Sequence, residues 1–286
     1  MNNNNKREYS LIFLVQFLTV AFIVIYNTCQ LNLTHNIIND NSTSITSIIY
    51  SLFFMCMGYA NYLWIERSKN PAFSIMLHGL AFYFIFIIFR AEYVFIFATT
   101  YTIICGFCLF SNIQMLLAAM AFTFGIAGIL TNTLSLFGFL LVYIGMTVAK
   151  FRKTIHYIPL GNFIIPIFTV VLLDNLFRRY IVYRPNEVLS ISTIGISIVI
   201  LLLITCVPVY SQGRKIAVIN ISSTLSFFLY KYEVKLLEPF ISPTLNAFVV
   251  LFVNTLIAWS VYVVVRRFVE KYNLRVLDFV HSKAGE

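Results

Sequence analysis

Charged side chains are scarce in this sequence. Asp, Glu, Lys and Arg together make up 11% of the 286 residues, whereas soluble domains contain about 25%. Hydrophobic residues account for 60% of the chain, and long apolar runs recur along its whole length. This composition excludes an ordinary soluble domain and predicts an all-α, polytopic integral membrane helical bundle.

Motifs of the common enzyme classes are also missing. The sequence contains no G-x-x-x-x-G-K-[ST] phosphate-binding loop, no H-E-x-x-H zinc motif and no G-x-S-x-G nucleophile motif. The 11 Asp and Glu residues are scattered, so the carboxylate pair of a metal-dependent glycosyl or phosphoryl transferase is not present. We therefore expect no metal site and no bound cofactor.

Two of the five cysteines, Cys105 and Cys108, form a C-x-x-C pattern, which in other proteins can bind a metal or carry redox chemistry. Here the pattern lies in the middle of an apolar run, and no His or Cys cluster is near it in the sequence. We interpret both residues as small helix-packing residues.

The apolar runs predict about ten membrane helices. Eight or nine would also fit, because several runs are near the lower limit of about 17 residues for a span. The predicted helices cover residues 9–26, 47–65, 73–89, 93–110, 113–130, 134–149, 158–173, 188–209, 219–237 and 245–265. We expect a single membrane domain over residues 1–286, with a short cytoplasmic tail at 1–8 and a basic cytoplasmic tail at 267–286.

The basic residues predict the orientation of these helices. If both termini are cytoplasmic, all but six of the 20 Lys and Arg residues fall on the inner side, which agrees with the positive-inside rule. The same rule explains the formal net charge of +9 without a nucleic-acid partner. The expected location is the inner (plasma) membrane, with the lipid bilayer as a partner, and the sequence leaves the oligomeric state open.

Five of the six exceptions lie in two places. One group is in the predicted outer loop after the seventh helix: Arg178, Arg179 and Arg184. The other group brackets Glu233 in the ninth helix: Lys231 and Lys235. Because intramembrane charge often marks a functional site, Glu233 and the three arginines are candidate site residues. The alternatives are a solvated loop and a salt-bridged or snorkelling group in the helix.

The first predicted helix carries two amides, Gln16 and Asn27, in a largely apolar run. They lie eleven residues apart, which is about three helical turns, so both fall on nearly the same face. A buried amide is costly in hydrocarbon unless it is hydrogen-bonded. This face is therefore expected to contact other helices or a wet cavity.

Three short segments form a pattern across the chain. The first is Gln16, ten residues and then Asn27 in the first helix. The second is residues 53–59 in the second helix, which read Phe-Phe-Met-Cys-Met-Gly-Tyr. The third is residues 226–233 in the ninth helix, which read Ser-Phe-Phe-Leu-Tyr-Lys-Tyr-Glu. In order and spacing they resemble the bacterial membrane acyltransferase type three family, whose motifs there are Arg-x10-His, Phe-Phe-x-x-Ser-Gly-Tyr and Ser-x-x-x-Tyr-Leu-x-His.

The resemblance implies an enzyme with about ten membrane helices that transfers an acetyl or similar acyl group to an envelope polysaccharide or glycolipid. Acyl-CoA would be the candidate acyl donor. The resemblance also implies that the substrate site is lined by Gln16, Asn27, Tyr59 and Tyr230 together with Glu233. We add the loop arginines, Arg178, Arg179 and Arg184, as candidate substrate-binding residues.

The main departure from the family concerns the base. In the family the His of the first helix is thought to act as acid and base, since an imidazole with a pKa near about 6.5 can accept a hydroxyl proton. The amides of Gln16 and Asn27 can only donate and accept hydrogen bonds. Candidate replacement bases are Glu233, at the place of the family's His in the ninth helix, and His35 in the first outer loop.

Three functions remain open on the sequence. The first is an active envelope-glycan O-acyltransferase with a variant site. The second is a non-catalytic protein of the same fold that binds or exports an envelope glycan or lipid, including a lipid-linked glycan, or gives immunity to a toxin. The third is a transporter, for which a discontinuous seventh helix containing Pro159 and Pro166 would be suited.

Overall fold

The structure is a computed structural model, and it describes residues 7–33, 42–66, 75, 103–104, 114–131, 134–155, 160–163, 165–166, 168–169, 172, 191–211 and 213–272. The helices in these ranges are α1 (Ile12–Leu33), α2 (Ser42–Glu66), α3 (Gln114–Thr131), α4 (Leu134–Lys150), α5 (Arg152–Ile155), α6 (Ile191–Thr205), α7 (Gly213–Leu237) and α8 (Pro243–Tyr272). Two short strands, β1 (Arg7–Ser10) and β2 (Pro208–Ser211), pair in antiparallel register. Apart from this ribbon the described chain is helical, so the prediction of an all-α protein is confirmed at the level of fold class.

Most of the predicted membrane helices that the structure describes correspond to an observed helix. Predicted helices one, two, five, six, eight, nine and ten correspond to α1, α2, α3, α4, α6, α7 and α8. The structure describes only positions 75, 103 and 104 of the predicted helices at 73–89 and 93–110. Cys105 and Cys108, in the helix predicted at 93–110, lie outside the described residues. The predicted helix at 158–173 is described only in fragments, which include a 3-10 turn over Leu160–Phe163.

Two of the described helices are long and apolar enough to cross a membrane, judged by length and composition. These segments are Ile12–Cys29 in α1 and Pro243–Val264 in α8. Among the described residues, the other apolar helical segments are shorter than a full span. The count of about ten membrane crossings therefore stays a prediction.

The β1–β2 ribbon is the main difference from the predicted elements. The predicted eighth helix extends to residue 209, but α6 ends at Thr205. Pro208 disfavours a helical backbone at the residue before it, and it pairs with Ser10 at the end of the ladder, where the missing N–H of proline is tolerated. The backbone N–H of Leu11 donates to Val207 at 3.3 Å, so α1 begins directly at the ribbon.

Several helix ends also differ from the prediction: α1 continues to Leu33 rather than ending at 26, and α2 begins at Ser42 rather than at 47. α7 begins at Gly213, six residues before the predicted start at 219, and α8 continues to Tyr272 rather than ending at 265. The added residues include Lys and Arg, which have good helix propensity. Apolar content located the predicted spans, but backbone hydrogen bonding carries these helices beyond their apolar parts.

The chain divides into two compact units. The terminal unit comprises Met1–Asn39 and Val207–Glu286. Within it α1 packs against both α7 and α8, and α7 packs against α8. A tight turn joins α7 to α8, and Val218 near the start of α7 packs with Ala258 and Tyr262 in the second half of α8. The two helices are therefore antiparallel.

The middle unit comprises Asp40–Cys206. Its central helix is α2, which packs against α4 and α6, while α3 packs against α4. Every residue of α2 from Ser51 to Leu63 is buried. The end of α2 is tied to the beginning of α5 by an ion pair between Glu66 and Arg152, whose closest N–O distance is 2.9 Å.

Candidate functional site

The structure places four of the five residues expected to line the site in the terminal unit. Gln16 and Asn27 lie on α1, and Tyr230 and Glu233 lie on α7. Tyr59 lies on α2 in the middle unit, where its side chain is buried. The remaining predicted site residues lie outside the described residues: His35, Arg178, Arg179 and Arg184.

The two amides of α1 have different surroundings. The Asn27 side chain is partly buried, and its Nδ2 donates to the backbone oxygen of Ile23 in the same helix at 2.9 Å. Gln16 is buried, and its Oε1 has no hydrogen-bond partner within the described residues. A buried amide oxygen in this state has lost its water without a replacement, which is unfavourable.

Glu233 is held by an amide of the neighbouring helix. Its side chain is half-buried, and its Oε2 accepts a hydrogen bond from Nδ2 of Asn254 on α8 at 2.7 Å. This distance is typical of a charge-assisted hydrogen bond. Lys231 and Lys235, which bracket Glu233 in the sequence, are both exposed. The described hydrogen-bond donor to the Glu233 carboxylate is therefore on α8.

The hydroxyl groups between α7 and α8 are mostly satisfied by their own helices. Ser223 donates to the Ile219 carbonyl at 2.7 Å, and Thr255 donates to the Leu251 carbonyl at 2.8 Å. Ser222 on α7 also contacts Thr255 on α8, with 3.0 Å between their hydroxyl oxygens. Ser226 is the exception, because its buried Oγ has no partner within the described part of the chain.

A second asparagine of α8 stabilises the end of α7. Nδ2 of Asn246 donates to the backbone oxygen of Val234 at 2.9 Å. Because a carbonyl or carboxylate oxygen only accepts, the atom facing it must be Nδ2 in both Asn246 and Asn254. Their Oδ1 atoms are consequently acceptors directed elsewhere, and both are buried without a partner among the described residues. We call the α7–α8 group the polar seam: Ser222, Ser226, Glu233, Asn246, Asn254 and Thr255.

Sequence reasoning found Glu233 but missed the α8 side of the polar seam. Asn246 and Asn254 are the two amides in the otherwise largely apolar stretch at 245–265, and they lie eight residues apart. Eight residues are a little over two helical turns, so both amides share one face of α8. The same reasoning that selected Gln16 and Asn27 would have selected this pair.

The second motif segment has a structural explanation in the middle unit. A Cβ atom added at Gly58 would collide with the backbone oxygen of Val142 on α4. Reciprocally, a Cβ atom added at Gly145 on α4 would collide with the backbone oxygen of Met55 on α2. Gly58 is therefore needed for the close crossing of α2 and α4, whatever the protein does.

The described residues contain no group of three or more His, Cys, Asp or Glu that could hold a metal ion. Comparisons with protein-family models, curated proteins and solved structures give no match. The acyltransferase resemblance accordingly depends on the three sequence segments alone.

Proposed function

We propose that the protein is a multi-pass integral protein of the inner (plasma) membrane with both termini cytoplasmic. The support is the distribution of side chains on the two long apolar helices. Leu14, Leu18 and Phe22 follow one another at one-turn spacing along α1 and are exposed, whereas Gln16 on the same helix is buried. A helix with apolar side chains outside and amides inside is suited to a lipid environment.

The same pattern is present on α8. Phe248, Phe252 and Trp259 are exposed, while Asn246 and Asn254 are buried. In water, burial of the amides would be costly and exposure of the aromatic side chains would give no hydrophobic stabilisation. In a bilayer the exposed aromatic side chains contact lipid, and the buried amides are kept out of the hydrocarbon.

Within this membrane protein, the proposed activity is transfer of an acyl group to a hydroxyl of an envelope polysaccharide or glycolipid, with Glu233 as general base. The observation that carries the proposal is the half-buried Glu233 carboxylate, whose Oε2 is oriented by Asn254. The other carboxylate oxygen is then available to take the proton of a substrate hydroxyl as that hydroxyl attacks the acyl carbonyl. Acyl-CoA is the proposed acyl donor: its C–S bond breaks as the ester bond forms, and coenzyme A leaves as the thiol by taking the proton from Glu233. General-base catalysis of this kind contributes about 10²–10⁴ to a rate.

The test is mass spectrometry of surface glycans from otherwise identical cells with and without the gene. We expect a gene-dependent mass increment of one acyl group that is lost in mild alkali. Glu233→Gln should abolish the increment, whereas Glu238→Gln should retain it, because Glu238 is an exposed carboxyl just after the same helix. Full acylation by a Glu233→Gln protein would exclude Glu233 as the base.

A second candidate function is non-catalytic binding or export of an envelope glycan or lipid, or immunity to a toxin. The observation that favours it is at Asn27, the position matching the family's catalytic His. There an amide donates to its own helix at Ile23, and an amide cannot act as a base. This alternative predicts no acyl increment on any glycan in cells where the protein is folded and inserted, and function that survives Asn27→Ala. Loss of function in a folded, inserted Asn27→Ala protein would count against it.

A further inference from the structure

The helix formed by α4 and α5 continues through Phe151 and becomes basic at its end. The backbone N–H of Phe151 donates to the Thr147 carbonyl at 3.0 Å, and that of Ile155 donates to the Phe151 carbonyl at 3.0 Å. These bonds have the spacing of an α-helix, so one helical face can be followed across the junction. The largely apolar α4 ends at Lys150, which puts the next residues at the predicted inner surface of the membrane.

Lys150, Lys153 and Thr154 share one face of this helix, because Lys150 lies three residues before one and four before the other. Lys153 and Thr154 are exposed, and Lys150 is partly buried. Phe151, three residues before Thr154, flanks the same face and is 50% exposed. Two ammonium groups, a hydroxyl and an aromatic ring are therefore next to each other on the surface of the middle unit.

The helices around this face do not balance its charge. Arg152 lies about 200° around the helix from Lys150 and pairs with Glu66 of α2 at 2.9 Å, so these two charges neutralise each other. The other helices that pack against α4 or α5 are α3 and α6, and neither contains a charged residue. The side chains of Lys150 and Lys153 have no ion-pair or hydrogen-bond partner among the described residues.

The sequence adds positive charge at the same end of the middle unit. Arg67 and Lys69 follow Glu66 at the end of α2. Glu66 is also the single acidic residue within 66–72 and 150–157, the two basic segments that the predicted topology places on the inner side. This surface therefore suits an anion.

We propose that Lys150, Lys153 and Thr154 bind the head group of an anionic phospholipid of the inner leaflet, and that an acyl chain of this lipid lies against Phe151. Ammonium and hydroxyl groups donate to phosphate oxygens, and the ammonium bonds are charge-assisted. Two lysines at this spacing repel each other, and an anion between them removes the repulsion.

The occupant is a lipid because the surface has two parts. Basic clusters at the cytoplasmic end of membrane helices attract anionic head groups, which accounts for the lysines. A free phosphate ion would satisfy the lysines equally well but would leave the half-exposed ring of Phe151 uncovered. A phospholipid supplies both the phosphate and an apolar chain.

The inference rests on the proposed membrane location and does not require acyl transfer. Extraction with alkaline carbonate tests the location, and lipid binding by the purified protein tests the inference. An integral protein without any preference for anionic lipid would reject the inference alone, so the two failures are distinguishable.

The experiment uses the full chain in mixed micelles of a non-ionic detergent and phosphatidylcholine. Phosphatidylcholine is replaced stepwise by phosphatidylglycerol at constant total lipid, and the thermal unfolding midpoint is recorded at each composition. We expect the midpoint to rise and to saturate, since a ligand that binds the folded state stabilises it. Inorganic phosphate, added to phosphatidylcholine micelles at the same concentration, should give little of this rise.

Four variants locate the binding surface. Lys153→Gln should weaken the apparent affinity for phosphatidylglycerol several-fold, and the double variant Lys150→Gln/Lys153→Gln should abolish saturation. Phe151→Ala should also weaken it several-fold without lowering the midpoint in phosphatidylcholine alone, because the ring is half-exposed. Lys215→Gln is the matched control and should leave the affinity unchanged. Lys215 is an exposed lysine of α7 that the predicted topology also places on the inner side, but it belongs to the terminal unit.

Three results would overturn the proposal. The first is the absence of a saturable difference between the two lipids. The second is an equal loss of affinity in Lys153→Gln and Lys215→Gln, which would mean attraction by net charge only. The third is an equal response to inorganic phosphate, which would mean an anion site without a lipid. If the double variant does not fold, the comparison of Lys153→Gln with Lys215→Gln decides, because both side chains are exposed.

Discussion

At the residue scale, the decisive contact is the one between Glu233 and Asn254. A hydrogen bond to a charged group contributes about 1.5–3 kcal/mol, and a charged group left without its partner costs at least as much. The Glu233 carboxylate is oriented by α8 through this one described donor. The position of the candidate base therefore depends on a residue that the sequence motif does not include.

The Asn254–Glu233 pair is expected to be energetically coupled. Asn254→Ala should lower the free energy of unfolding by about 1.5–3 kcal/mol, because Glu233 loses its described donor. In a double-mutant cycle with Glu233→Gln, the two losses should be non-additive by more than about 0.5 kcal/mol. Chemical denaturation in mixed micelles provides the measurement. Additive losses would mean that the 2.7 Å contact does not persist in solution.

Two serines one turn apart on α7 provide a matched comparison. Ser226→Ala should leave stability unchanged or raise it, because it removes a buried hydroxyl that has no described partner. Ser222→Ala should lower stability by about 0.5–1.5 kcal/mol, because it removes the contact with Thr255. A loss at Ser226 equal to that at Ser222 would show that the Ser226 hydroxyl does have a partner. Unfolding midpoints of the two variants, measured side by side, give the answer.

At the scale of elements, the middle unit depends on the close crossing of α2 and α4. Gly58 and Gly145 each lie against a backbone carbonyl of the other helix. Small residues allow such close backbone contact between membrane helices. Because the obstacle at each glycine is backbone rather than a flexible side chain, the helices would have to separate to admit a methyl group.

Alanine substitution at the glycines of α4 should therefore have opposite effects along one helix. Gly145→Ala should destabilise the protein by about 1–3 kcal/mol through overpacking, and Gly58→Ala on α2 should do the same. Gly138→Ala is the control, because no atom of the described residues lies within 4 Å of the added Cβ. That variant should be neutral or more stable by up to about 1 kcal/mol, since alanine is the better helix former. Thermal unfolding in detergent ranks the three, and a Gly145→Ala protein as stable as Gly138→Ala would contradict the crossing.

The exposed face of α8 is expected to contact lipid. Trp259 is 42% exposed on this face. The protein has two tryptophans, so a Trp64→Phe variant leaves Trp259 as the single reporter. In that variant reconstituted into vesicles, Trp259 fluorescence should be quenched strongly by lipids with brominated acyl chains and weakly by aqueous acrylamide. The opposite order of quenching would mean that this face meets water or another protein segment.

At the scale of the whole molecule, large apolar side chains lie on the exposed faces of the helices as well as in the contacts between them. The two long apolar helices expose large apolar side chains and bury amides, which is the reverse of a water-soluble bundle. The terminal unit and the middle unit each have their own helix packing. This arrangement supports membrane insertion of the chain more directly than helix length does.

The predicted topology makes both ends of the chain cytoplasmic. Reporter fusions at the two termini, one active only in the cytoplasm and one only outside it, should give cytoplasmic signals at both ends. The protein should also stay in the membrane pellet after alkaline carbonate treatment and be released by detergent. Termini on opposite sides would require an odd number of spans, and release by carbonate would exclude an integral protein.

The amino-acid sequence by itself determined the all-α class and the approximate position of several elements. Apolar runs located α1, α2, α3, α4, α6, α7 and α8 with ends that differ from the observed ones by up to seven residues, because apolar content marks the middle of such a helix and not its ends. It also identified Glu233 as unusual, because a carboxylate inside an apolar helix stands out in composition alone. The β1–β2 ribbon was not predicted, since four-residue strands depend on a partner far away in the chain.

Only the tertiary structure decided which polar side chains contact each other. The sequence places Asn254 on a helix, but its contact with Glu233, twenty-one residues away, depends on the antiparallel packing of α7 and α8. The same packing leaves the Ser226 hydroxyl and the Asn254 Oδ1 without described partners. The physical reason is that periodicity fixes the face of a helix on which a residue lies, whereas the register between two helices is set by how their side chains interlock.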